Sequence, residues 1–235
     1  EKKIDTSLNY YGTVLNAQTL EHAVPNLRNS VEKIIVIENK ANYESMEYDP
    51  KVLYIFCHGY FSPKEVRFLQ MLMKTAPEEI PVHCVNLSTK GEQEKQLFVF
   101  TREQEQHSEC SYTDTLGNYL YEPNTSLLKA GAFRSIASSF HLSKLHANSH
   151  LYTSNERIEK FPGRIFRITG YSGLNKKELK NILNGLDKAN ITTRNFPQSV
   201  AELRKRLKLT DGGDIYLFAT TLNDERKIII RCEKA

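Results

Sequence analysis

Several residue groups in this 235-residue chain have types and spacings that could do chemistry. Glu38 follows the apolar run Val31 to Ile37, and a carboxylate at the end of a buried parallel strand is where α/β folds place metal ligands or general bases. A magnesium site working on phosphates needs more carboxylates, yet only Asp5 and Asp49 precede Asp114 and no Asp-x-Asp pair occurs. His146 and His150 have the i, i+4 spacing of helical metal ligands, with His141 close by. No carboxylate or cysteine stands near as a third ligand, so surface or capping roles suit them better. A different chemistry attaches to the bases. Arg204, Lys205, Arg206 and Lys208 share a predicted helix with apolar Val200, Leu203 and Leu207, while Arg164, Arg167 and Arg194 fall on or beside predicted strands. Such cations can contact phosphates with salt-sensitive affinity, or merely solvate a surface. Tyr152, Tyr171 and Phe196 could stack on unpaired bases, although core packing suits Phe196 better.

Other chemistries are excluded by what is missing. No Gly-x-Ser-x-Gly elbow occurs, and only Gly12, Gly59 and Gly91 precede Gly117. No dinucleotide fingerprint, phosphate loop or glycine-rich methyl-donor loop can therefore be built there. Asp211-Gly212-Gly213-Asp214 reads as a tight turn. The four cysteines form no C-x-x-C pair, which argues against structural zinc and a disulfide framework. Cys57, Cys84 and Cys232 sit among apolar residues and are expected to be buried and reduced.

Composition is that of an ordinary globular protein, 40% hydrophobic and 26% charged. No apolar run is long enough to span a bilayer, and the first residues lack a signal-peptide core, so a cytoplasmic setting without a membrane partner is expected. The net charge of +4 is unevenly spread. From Phe161 onward fifteen bases face eight acids, whereas Glu78 to Cys110 carries seven acids and three bases. The asymmetry favours a polyanionic partner for the C-terminal part.

The elements that must position these groups follow from periodicity. Val31 to Ile37 and Val52 to Cys57 read as strands buried on both faces, and Ser62-Pro63-Lys64-Glu65 as a helix start. The sheet is expected to stop near Met73, with Val82 to Leu87 and Gln96 to Thr101 forming a separate hairpin before a polar linker. A helix over Thr125 to Phe140 opens the last unit. Strand, helix, strand, helix, strand, strand then run from Arg164 to Cys232, with helix starts at Asn175 and at the Ser199/Glu202 capping box. The expected organisation is a partial parallel α/β segment over residues 1–78, a hairpin with an acidic linker over 79–116, and an α+β module with a mixed sheet over 117–235.

Two stretches resemble known families. Ile35-Val36-Ile37-Glu38-Asn39-Lys40-Ala41-Asn42-Tyr43, then Phe56-Cys57-His58-Gly59-Tyr60-Phe61-Ser62-Pro63, resembles the start of the toprim domain of the Wadjet-type DNA-cleaving subunit. That resemblance implies magnesium-dependent DNA cleavage in plasmid defence, with Glu38 as catalytic and metal-ligating residue. Leu116 to Asn124, Leu128 to Phe133, Ser149 to Ser154, Phe161-Pro162-Gly163-Arg164 and Arg194-Asn195-Phe196-Pro197 resemble the THUMP-like domain that ends a bacterial family of class I SAM-dependent methyltransferases. This second resemblance spans about residues 80–235. It implies an RNA-handling appendage whose partners are structured transfer or ribosomal RNA and a methyltransferase catalytic domain. SAM is then a cofactor of that system, with none bound by this chain. RNA binding through Arg164, Arg167, Arg194, Arg204, Lys205, Arg206 and Lys208 is the leading expectation, and the Glu38 nuclease its alternative.

Overall fold

The computed structural model describes residues 13–27, 30–37, 40–44, 46–56, 62–87 and 95–235. The chain forms two compact units, Glu1–His107 with Thr125–Ala132, and Ser108–Asn124 with Phe133–Ala235.

In the first unit, β1 (Lys33–Ile37), β2 (Val52–Phe56), β3 (Val82–Leu87) and β4 (Lys95–Phe100) form a sheet in the order β2-β1-β3-β4. β1 runs parallel to both β2 and β3, and β4 returns antiparallel to β3. The sheet therefore does not stop near Met73, because the first strand of the expected hairpin is its third parallel strand. Ile34, Val36 and Ile37 are buried on the central strand β1. β2 is only half-buried, contrary to expectation, because it forms the sheet's edge. Helices α1 (Ala17–His22), α2 (Lys40–Glu44), α3 (Pro63–Thr75) and α4 (Arg102–His107) complete the elements before the first crossing to the second unit. α3 begins where the sequence indicates: the Ser62 hydroxyl accepts from the Glu65 N–H and the Glu65 carboxylate from the Ser62 N–H. The Arg102 guanidinium donates to the carbonyls of Met73 and Lys74, tying α4 to the end of α3.

The helix expected over Thr125 to Phe140 is two, α5 (Thr125–Ala130) and α6 (Arg134–Ser139). Gly131 takes φ 80° and its N–H bonds the Leu127 carbonyl, a left-handed stop for which glycine is suited. α5 packs on β3 and β1 and belongs to the first unit, while α6 belongs to the second.

The second unit is a mixed sheet of β5 (Tyr119–Pro123), β6 (Ser143–Lys144), β7 (Tyr152–Ser154), β8 (Gly163–Ser172), β9 (Asn190–Arg194), β10 (Ile215–Thr221) and β11 (Lys227–Lys234), ordered β6-β7-β5-β8-β11-β10-β9. Helices α7 (Lys176–Leu183) and α8 (Val200–Leu207) start at the expected caps, Asn175 and the Ser199/Glu202 box. Strand alternation gives the sheet two cores. Leu179 and Ile182 of α7 and Leu203 of α8 bury against Ile191, Leu217 and Ile229 on one face. Leu120, Phe166, Phe218 and Ile230 pack with Leu145 and Leu151 on the other. One irregularity re-phases β8: Gly170 opposes Arg231 but Ile168 opposes Cys232, so Thr169 is an extra residue.

Backbone approach is tight where β8 begins. A Cβ on Gly163 would overlap the Glu122 carbonyl and stand 2.6 Å from the Phe161 ring, whereas a Cβ on Gly131 meets nothing within 4 Å. Gly163→Ala is expected to destabilise the second unit by about 2–3 kcal/mol through overpacking. Gly131→Ala should cost about 1–2 kcal/mol, from its left-handed backbone alone. Urea unfolding of both variants measures the difference; equal stability of Gly163→Ala and wild type would contradict this packing.

Candidate nucleic-acid interface

The seven bases expected to bind RNA divide between surfaces. Leu120 and Phe166 oppose each other on β5 and β8, as do Glu122 and Arg164, so Glu122 and Arg164 lie on the face of the Phe166 core. There the buried Glu122 carboxylate accepts from Arg164 Nε at 2.8 Å and from Arg194 Nη2 at 2.9 Å. The Arg164 guanidinium also lies over the Phe166 ring, 5.4 Å from its centroid. Arg167, three residues along the same strand, points to the opposite face and pairs with Glu233 at 2.7 Å. The structure therefore brings Arg164 and Arg194 together around an acid, and separates Arg167 from them.

The helix side carries the remaining bases. Arg204 pairs with Asp211, and Arg206 donates to the Gln198 side chain at 2.9 Å and the Leu174 carbonyl at 3.0 Å. That last bond ties α8 to the segment just before α7. Lys205 and Lys208 are exposed and make no side-chain hydrogen bond or ion pair among the described residues. On α7, which packs on the same sheet face, Lys176, Lys177 and Lys180 are also exposed. Sequence reasoning passed over these three. Their signal was the Lys-Lys-Glu-Leu-Lys run on a helix whose Leu179 and Ile182 turn inward.

The other groups fall into place differently. His146 and His150 are not on a helix: both lie in the segment between β6 and β7, His150 with φ 54°. The His146 ring meets Glu225 at 3.1 Å through Nε2 and the Asn148 N–H at 3.0 Å through Nδ1. The His150 ring stacks on Phe133, centroids 3.8 Å apart, and its Nδ1 is buried with no hydrogen-bond partner among the described residues. Burial, with the Lys144 and Arg194 cations nearby, lowers the His150 pKa to about 4. Lys144 is itself buried, donating from Nζ to the Ala147 carbonyl at 2.8 Å. Among the described residues no three His, Cys, Asp or Glu side chains are grouped to hold a metal. Tyr152 is unavailable for base stacking, because it is fully buried with its hydroxyl on the Phe133 carbonyl. Phe196 packs against the helix-side core, and Tyr171 remains 54% exposed. Gly212 and Gly213 take positive φ in the expected turn. Cys84 and Cys232 are buried free thiols whose pKa burial pushes up; Cys57 and Glu38 lie outside the described residues.

Two outcomes follow for this polar core. Glu122→Gln leaves two arginines facing a neutral amide and is expected to cost about 2–4 kcal/mol, less than for a fully buried pair because Arg164 is half exposed. The folded-state pKa of His150 is depressed, so its contribution is full above the unfolded value near 6.5 and is lost as pH falls toward 4, by at most about 3 kcal/mol. Urea unfolding at pH 7 and pH 5 should show this loss, and His150→Asn, which tolerates positive φ, should remove it. An unchanged pH slope in that variant would refute the assignment.

Comparison with known proteins bears on the same region. A ferredoxin-like domain family matches residues 119–162 and a THUMP domain-like family matches residues 163–234. A crystal structure from Porphyromonas gingivalis W83, described as a "putative methyltransferase", is 41% identical with a TM-score of 0.62 over 70% of this chain. The chain spans 41% of that protein's length. No curated protein matches. These comparisons give no support to the toprim resemblance. No helix among the described residues is long and apolar enough to cross a membrane. The C-terminal part of this chain, residues 163–234, carries a THUMP-like domain.

Proposed function

We propose that this chain supplies the RNA-binding part of a class I SAM-dependent methyltransferase system working in the cytoplasm, with structured transfer or ribosomal RNA as its ligand. The observation that carries the reading is the set of exposed lysines, Lys176, Lys177 and Lys180 on α7 and Lys205 and Lys208 at the end of α8, on a THUMP-like domain. Lysines without partners keep their charge available to phosphate oxygens, and each neutralised phosphate releases counterions. The likeness to the P. gingivalis protein supports the methyltransferase association.

On this reading SAM is bound by a separate catalytic domain. Its usual cradle is a glycine-rich turn between a parallel strand and a helix, and the described connection from β9 to α8 is Asn195-Phe196-Pro197-Gln198-Ser199. Methyl transfer is accordingly assigned to a catalytic domain that this module serves.

Fluorescence anisotropy with a transfer RNA transcript tests the reading. With about four phosphate contacts, affinity should fall roughly 50- to 150-fold between 50 and 200 mM salt. Lys205→Ala with Lys208→Ala should weaken binding and flatten the log-log salt slope by about one to two. Arg206→Ala is a poorer probe, because it also removes the tie to Leu174. Absent binding, or affinity indifferent to salt, would overturn the proposal.

A further inference from the structure

β4 is the last strand of the first unit's sheet, and among the described residues no strand pairs with its outer edge. Its two faces differ. Phe98 and Phe100 are buried opposite Cys84 and Val82 of β3, whereas Leu97 and Val99, opposite Val85 and His83, are 47% and 42% exposed. Natural sheets blunt such an edge with a proline, a bulge or a charged side chain. From Gln96 to Phe100 the strand reads Gln-Leu-Phe-Val-Phe and carries none of these, and its register with β3 runs unbroken. The edge is therefore built to accept another strand.

The side chains indicate which strand fits. A second copy added in parallel would have to be turned over, setting the exposed face of one β4 beside the buried face of the other. A two-fold axis normal to the sheet gives antiparallel pairing and keeps the faces continuous. Odd registers fail, because a slip of one residue exchanges the faces. Among the even ones, centring on Leu97 sets Val99 against Lys95, and centring on Val99 sets Leu97 against Thr101. Centring on Phe98 sets Leu97 of each copy against Val99 of the other, so both exposed apolar side chains gain apolar partners.

We infer that two copies of this chain pair through β4 in this register, joining their four-stranded sheets into one of eight. The inference is independent of the RNA-binding reading. One six-residue edge is less than a standard interface, so the pairing is reversible.

Sedimentation velocity of the full chain tests it. The dimer fraction should rise between about 5 and about 500 μM, and Val99→Lys should remain monomeric throughout with an unchanged urea midpoint. Leu97→Cys combined with Val99→Cys should give a covalent dimer on mild oxidation, bridged between positions 97 and 99 in peptide mass spectrometry. Either single variant should not, because like positions lie diagonally, about 7–8 Å apart. Monomer at every concentration, open-ended aggregation, or cross-linking of a single variant as readily as the double one overturns the inference. A monomer that instead binds a methyltransferase catalytic domain, blocked by Val99→Lys, assigns the edge to that partner and overturns it equally.

Discussion

Burial of the Glu122 carboxylate is the constraint around which the second unit is arranged. A charge removed from water is tolerated only with opposite charge and hydrogen bonds in place of its hydration. Here the two partners come from far along the chain, Arg164 on β8 and Arg194 at the end of β9. Three strands stand between β5 and β9 in the sheet order, so the face carrying Glu122 must curl for Arg194 to reach it. The neighbouring bonds continue the same stitching. Ser149 Oγ donates to the Thr221 carbonyl at 3.0 Å, and Thr221 Oγ1 to the Asn195 carbonyl at 2.6 Å, joining the loop before β7 to β10 and to the end of β9.

This arrangement divides labour between the two kinds of cation. In the second unit Arg164, Arg194, Arg204, Arg206 and Arg231 each hold a carboxylate or a backbone carbonyl. The planar fork of arginine suits such fixed acceptors, whereas lysine is a strongly hydrated point charge on a flexible stem. Lysines accordingly remain on the outside of α7 and α8. The net positive charge of the C-terminal part thus overstates how much of it faces solvent as free cation.

What the sequence made legible was local. The Ser62, Asn175 and Ser199 caps each depend on residues three apart, and all three form. The mixed sheet with helices on one face was legible from periodicity in the same way. Distant pairings were not. Arg164 and Arg167 are near neighbours in sequence, yet an odd spacing on a strand sends them to opposite faces. Nothing near Glu122 announces that two arginines 42 and 72 positions away will share it. The break at Gly131 was written in the glycine, but Leu127, Ala132, Phe133 and Ile136 keep a helical rhythm across it, and rhythm outweighed the stop. The third parallel strand was missed because an antiparallel partner with short-range turn signals is easier to recognise than a parallel one.

That break has a consequence for how the chain can come apart. The path leaves the second unit after Asn124, spends α5 in the first, and returns at Phe133. A cut between His107 and Ser108 would therefore unlink the backbone without freeing the pieces. The C-terminal fragment would still have α5 inserted, with Leu127 almost fully buried and the helix seated on β3. Release would require peeling that helix away, so a nicked chain would behave as a non-covalent heterodimer whose lifetime is set by an apolar dissociation.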